Sequence, residues 1–415
     1  MNVAFIVPRF HPYPGGYEKY VLGLARGLSG AGNKITVFTT TALDLEYFWL
    51  KGFRSLPAGR ETLDGIEIVR LPICHRRWRR RVSRLLGLLP SWQLKAQFAP
   101  PSFRVIGLRD ALMEASADII HVGPLPYNRM MYEGVREARR RGIRVVVTPC
   151  THFGEERNDQ VSRYYTRRFQ MDLLKECDYT FALTRAERQK LVDLGVPARK
   201  VAFTSAGIDP SEVTGGHAEK FCIKYGVKGP IVLHLGMKAL EKGSVCVVEA
   251  MKCLWRKNIQ AWLVLAGPSL RSFDEYLQSQ DSELPQLLNL GLVSEEEKKD
   301  ALAAATVVVQ PSRVESLGFV YLEAWANAKP VIAANMAVTR ELIAPGCNGL
   351  LVPFGNSDTL ASAIRHILDD PAESEKMGLR GQQKVHDEYS YEAVVSRISP
   401  YFEVRSTPVR DARTK

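Results

Sequence analysis

Short runs of apolar residues alternate along this chain with longer stretches whose apolar positions recur every three or four residues. In the first half the runs fall at Val3–Val7, Ile35–Thr39, Ile66–Arg70, Asp118–Val122, Ile143–Thr148 and Tyr179–Leu183. In the second they fall at Ile231–Leu235, Trp262–Ala266, Thr306–Gln310, Val331–Ala334 and Leu350–Val352. Continuous apolar runs of this kind predict strands buried on both faces, and the periodic stretches between them predict crossover helices. Each half is therefore expected to form a doubly wound parallel sheet, an α/β fold. Turn formers without periodicity over residues 208–217, IDPSEVTGGH, predict a linker between two domains, 1–206 and 207–388. Tyr391, Val394, Val395, Ile398 and Phe402 have the spacing of a final amphipathic helix over about 389–405. A length of 415 residues suits two domains of ordinary size.

A hydrophobic content of 46% with 24% charged residues excludes disordered and fibrous classes. No run approaches the ~18 apolar residues of a membrane-spanning helix. The opening residues read as a buried strand rather than a secretion signal, and seven cysteines without a Cys-x-x-Cys pair suit a reducing compartment and predict no metal site. The cytoplasm is the expected location. The net charge of +11 is lopsided: residues 1–206 carry 33 Lys and Arg against 19 Asp and Glu, whereas residues 207–415 carry 23 against 26. A one-sided field of this sign points that half toward an anionic partner.

Candidate chemistry concentrates in PSRVESLGFVYLEA, residues 311–324, which follows a predicted strand and opens a predicted helix. Free backbone N–H groups at such a helix start, with Gly318 and Phe319 at the turn, can receive a diphosphate. Glu323 can hold ribose hydroxyls and Glu315 can face a sugar. The plainer reading is two surface glutamates beside a helix cap. Gly15 and Gly16 either bring backbone amides close to a ligand or form a tight turn. His152 and His121 follow or sit in strands, where a histidine commonly packs, and Lys242 before Gly243 reads by itself as a solvated lysine beside a helix start.

Glu315 and Glu323, seven residues apart in PSRVESLGFVYLEAWANAKPVIA, resemble the signature of retaining glycosyltransferases of family 4, which have the GT-B fold of two Rossmann-like domains facing a cleft. The resemblance extends through YPGGYEKYVLGLARGLSGAGNKITVFT, DIIHVG, ALTRAERQKLVDLGVPARKVAFTSAGID, VLHLGMKALEKG, LVLAGP and ELIAPGCNGLLVPFG. It implies that the last helix completes the N-terminal domain and that the C-terminal domain binds a nucleotide-sugar donor, UDP- or GDP-linked. It further implies that Gly15 and Gly16 approach the donor diphosphate, that His152 stands near the reacting sugar carbon, and that Lys242 neutralises the leaving group. Transfer would retain configuration without a metal or other cofactor, since no Asp-x-Asp is placed to hold one. The chain departs from the family pattern at Met237, where an arginine usually follows Gly236, and at Ala328, where a glycine is common. Lys238 is one position away from supplying the missing cation.

On the acceptor side, Arg76, Arg77, Trp78, Arg79, Arg80, Arg81 and Arg84 precede a leucine-rich stretch that ends near Trp92. Basic residues beside leucines and tryptophans suit an anionic membrane surface and a glycan or lipid-linked acceptor, or else a solvated loop over a short helix. No nucleic-acid partner is expected, because neither an RNA-binding motif nor repeated aromatic platforms occur. Two further readings stay open: a family member without catalysis that binds nucleotide-sugar as a scaffold, and a phosphorylase or epimerase of the same fold.

Overall fold

The computed structural model describes residues 1–75, 90–154, 160–280 and 284–403. The strands of the first domain are β1 (Asn2–Ile6), β2 (Lys34–Thr40), β3 (Gly59–Leu63), β4 (Ile66–Leu71), β5 (Ile119–Val122), β6 (Arg144–Val147), β7 (Tyr179–Ala182) and β8 (Val201–Phe203). They form one sheet in the order β3-β4-β2-β1-β5-β6-β7-β8, parallel except for β3. The second sheet is wholly parallel, with β9 (Ile231–Leu235), β10 (Trp262–Ala266), β11 (Leu287–Leu290), β12 (Val307–Gln310), β13 (Val331–Ala334) and β14 (Gly349–Val352) in the order β11-β10-β9-β12-β13-β14.

Helices cover both faces of each sheet, so the apolar runs are buried on both sides; β1, β5, β6, β9 and β13 are almost entirely inaccessible. The predicted strands appear within a residue or two of their expected bounds, and β3, β8 and β11 are additional. In β3 the sequence is GRETL and nearly all of it is exposed, as a charged antiparallel edge strand should be.

In each sheet the chain reverses its direction of winding at one place. β1 pairs with β2 on one side and β5 on the other; β9 pairs with β10 and β12. A crevice opens beyond the carboxyl ends of the strands at such a reversal, and ligands of open α/β sheets bind there. The loops that leave β1, β9 and β12, with the one that leaves β6 beside β5, are the structural origin of the site.

The helix Tyr391–Phe402 returns from the second domain to pack on the helix Gly16–Gly30. A methyl group on Gly23 would lie 1.9 Å from the Tyr391 ring and one on Gly27 2.4 Å from Val395, so these two glycines set the approach of the helices. Tyr401 and Phe402 reach Phe181 in β7.

Ala328 ends the helix Phe319–Ala326 in the left-handed region, at φ 53, where the N–H groups of Ala328 and Lys329 close back on Trp325 and Ala324. The geometry is that of a helix C-cap, which favours glycine. Ala328→Gly is expected to stabilise the protein by about 1 kcal/mol, read as a higher midpoint in chemical denaturation.

Candidate active site

From the second domain the wall of the cleft is the segment between β12 and the helix Phe319–Ala326. Gly318, at φ 92, makes the turn; a Cβ there would sit 2.4 Å from the Tyr321 ring, so both conformation and space demand glycine. The turn leaves the helix start and Phe319 facing the first domain, where the Phe319 ring lies against Gly16 at 2.8 Å from the position of a Cβ. Gly15 is extended rather than left-handed, and its lack of a side chain makes room for the Glu18 carboxylate, 2.1 Å from where its Cβ would be.

Glu315 is buried, and its Oε1 accepts from Lys242 Nζ at 2.7 Å. Burial pushes the Glu315 carboxyl up, but the Lys242 ammonium and the hydrogen bonds around it outweigh burial and hold it below the ordinary carboxylate value. Glu315 also forms an antiparallel backbone bridge with Phe153 of the first domain, and Ser316 Oγ accepts from Cys150 Sγ at 3.4 Å. His152, on that same crossing loop, meets the Tyr165 ring at a tilt of 31°, with centroids 4.9 Å apart. Burial, reinforced by Lys242, lowers its pKa to about 4, so the imidazole is neutral at physiological pH. The structure thus brings Glu315, Lys242 and His152 together across the domain boundary.

Lys242 ends a 3₁₀ turn, Leu240–Lys242, after β9. That loop is fastened from below by His234, which contacts Val309 O and Ser244 Oγ at 2.8 Å each, while Ser244 Oγ accepts from the Ala239 N–H at 3.0 Å. Sequence reasoning missed His234; a histidine inside the apolar run VLHLG was its signal. It also missed Arg9, whose guanidinium lies 3.6 Å over the Tyr13 ring and bonds Glu18 at 3.1 Å, in the loop after β1. Burial of Glu18 raises its carboxyl despite Arg9.

Between the domains lies a cavity of about 390 Å³, walled by Gly15, Gly16, Met237, Phe319, Lys298 and Glu323 among others. Glu323 is largely buried and its Oε1 accepts from Lys298 Nζ at 2.9 Å. Lys298 also meets Glu295 at 3.1 Å, and Glu295 reaches Lys19 of the first domain at 2.7 Å. Burial lowers the Lys298 ammonium, but the two carboxylates more than offset it and its pKa is raised.

One expected site residue, Lys238, stands elsewhere, and His121 packs in the core as a histidine within a strand commonly does. Lys238 does not replace the missing arginine: its ammonium is buried and donates to Asn289 Oδ1 at 2.6 Å and Leu290 O at 2.7 Å, away from the cavity wall. A lysine turned into the strand ends satisfies its donors there, and Met237, 43% exposed, takes the wall position. His121 is fully buried in β5, against Thr148 Oγ1 at 2.9 Å and the Phe5 ring, and is a core residue. The basic series Arg76, Arg77, Trp78, Arg79, Arg80, Arg81 and Arg84 lies outside the described residues. Among the described residues no helix is long and apolar enough to cross a membrane.

Two doubly wound domains with their crevices opposed across a cleft make up the GT-B fold. The Glycosyl transferase 4-like domain matches residues 15–207 and the Glycosyl transferases group 1 domain matches residues 219–384, and the chain belongs to this family of group 1 glycosyltransferases. It is 29% identical to the alpha-D-kanosaminyltransferase of Streptomyces kanamyceticus over 179 residues, 42% of this chain and 46% of that protein, so it spans about half the length of that relative. It superposes on sucrose-phosphate synthase of Thermosynechococcus elongatus with a TM-score of 0.75 and 21% identity, covering 97% of this chain and 98% of that one. Anabaena HepE in complex with UDP-glucose superposes with a TM-score of 0.70 and 18% identity, covering 97% and 99%.

Proposed function

We propose that the chain transfers a sugar, with retention of configuration, from a UDP- or GDP-linked donor to a glycan or lipid-linked acceptor. The observation that carries this reading is the Lys242–Glu315 pair, set across the domain boundary from a neutral His152 and beside the helix start at Gly318. Charge that develops on a leaving diphosphate would meet the Lys242 ammonium and the N–H groups of that helix, so no divalent ion is required. The new bond forms between the acceptor oxygen and the sugar carbon as the carbon–phosphate oxygen bond breaks on the same face. A phosphate oxygen of the leaving group takes the acceptor proton. Glu315 and His152 face the sugar at its reacting carbon, Gly15 and Gly16 admit the diphosphate, and Glu323 holds the ribose in the cavity. HepE, a fold neighbour solved with UDP-glucose, supports a donor of this class. The excess of positive charge in residues 1–206 supports an acceptor presented at an anionic surface, with the protein peripheral to a membrane on its cytoplasmic side.

Met237 favours a second reading, a nucleotide-sugar-binding scaffold without turnover, because the cavity wall lacks the family's arginine there. Mass spectrometry with a panel of nucleotide sugars, chelator present, decides between them: release of nucleoside diphosphate supports the enzyme, and binding without release supports the scaffold. Within the enzyme reading, Glu323→Gln is expected to raise the donor KM about tenfold with kcat little changed, the worth of one charge-assisted hydrogen bond. An unaltered donor KM would remove Glu323 from the ribose site.

A further inference from the structure

The loop between β6 and residue 154 carries His152, yet little inside the loop explains its shape. Cys150, two residues before His152, is left-handed at φ 49, a conformation unfavourable for a residue with a side chain unless its surroundings impose it. The next N–H, that of Thr151, is received by Glu187 Oε1 at 2.7 Å. The other oxygen, Oε2, accepts from the Leu183 N–H at 2.7 Å. Glu187 belongs to the helix Arg185–Asp193 that follows β7, and its own N–H is capped by Thr184 Oγ1 at 3.0 Å. In the usual capping box the glutamate turns back to the N-cap N–H. Here it reaches past that position, to the residue before it and to a different loop.

The carboxylate is wholly inaccessible and among the described residues no cation bonds it; burial raises its pKa to about 7 despite the Thr151 and Leu183 donors. Burying a carboxylate on neutral donors is costly, and a helix cap by itself does not require it. The first turn of the same helix is gripped from the opposite domain, where the Glu341 carboxylate accepts from the Arg185 N–H at 2.8 Å and the Ala186 N–H at 3.2 Å. Glu341 lies on the helix Ala337–Leu342 after β13.

We propose that Glu187 is a positioning residue for sugar transfer: its carboxylate sets the Cys150–Thr151 backbone and with it the placement of His152, on a helix that Glu341 seats against the donor domain. The proposal rests on the reading that His152 faces the reacting sugar.

Glu187→Gln keeps the shape but replaces one accepting oxygen with a donor, which opposes an N–H. Its kcat is expected to fall about tenfold or more with the donor KM unchanged, because a misplaced group near the reacting carbon slows chemistry rather than binding. In a His152→Ala background the same change should cost nothing further. The His152 ring signals in the ¹H–¹⁵N spectrum should shift, and in the wild-type protein the Thr151 amide should be protected from hydrogen exchange although it lies in a loop. Glu187→Asp, which keeps the charge and withdraws it, should reproduce the kcat loss, and covers the case in which the glutamine variant does not fold. Unchanged ring signals with a freely exchanging Thr151 amide overturn the positioning role, as does a full additional loss in the His152→Ala background. If His152→Ala alone retains full turnover, the reading of His152 fails, while the ring signals and the exchange rate still judge Glu187.

Discussion

Lys242→Ala is expected to lower kcat by about 10²- to 10³-fold, the usual consequence of removing one preorganised group that meets charge developing in the transition state. Two features make the effect large. The lysine is partly shielded, and its turn is held by the His234–Ser244 contacts, so its ammonium is placed before the donor arrives. It also keeps Glu315 ionised: burial alone pushes that carboxyl up, and Lys242 is the main group that holds it down. Without Lys242 the folded-state pKa of Glu315 rises, so the acid limb of the kcat profile should move to higher pH. Glu315→Ala should slow transfer as well, and the double variant should be no worse than the poorer single one, because the two groups act as a pair. Lys242→Arg restores charge but not the compact shape, and only partial rescue is expected. Steady-state kinetics with a donor that the wild type turns over provide the measurement. A kcat within twofold of wild type in Lys242→Ala would end the proposed role.

The fold was legible because buried parallel strands must be apolar on both faces, and such runs stand out as at β9 or β13. The strands that escaped notice stand out less: β3 is polar at a sheet edge, β8 is only three residues long, and β11, LLNL, is only partly buried at the edge of its sheet. At the site, Glu315, Gly318 and Glu323 were visible because their spacing follows a strand-to-helix turn, a local feature, and Lys242 was visible through the family resemblance of VLHLGMKALEKG. What stayed hidden depends on contacts between distant segments. No local pattern shows that Lys238 turns toward Asn289, that Glu323 already holds Lys298, or that Glu187 spans from its own helix to Thr151. The Thr184-x-x-Glu187 pattern was present as a capping signal, yet its second partner lies 36 residues away.

Acid should destabilise the protein well above the range in which ordinary carboxylates titrate. His121, His152 and His234 are all buried, and desolvation, the leading cause in each, lowers their pKa values to about 3, 4 and 4 from 6.5. In the unfolded chain they take up protons as the pH falls through 6.5; in the folded protein they do not. The unfolded state then binds more protons, and stability falls as the pH is lowered from about 6.5 to about 4. Glu187 acts in the opposite sense, since its folded pKa of about 7 lies above its ordinary 4.5 and the folded state holds the extra proton between those values. Glu18 and Glu133, also raised by burial, oppose the histidines too, while Glu315 and Glu295, held low by cations, add to the loss only as the pH falls through 4.5 and below. With three histidines against one strongly shifted glutamate, the expected slope is roughly 1 to 2 kcal/mol per pH unit. Urea denaturation at several pH values between 7 and 4.5 measures it. Removing one histidine, as in His121→Asn, lowers the stability overall but should flatten the slope by about one proton, because slope counts protons and not contacts. A stability that is level across this range would mean that the three imidazoles are not held neutral in the folded protein.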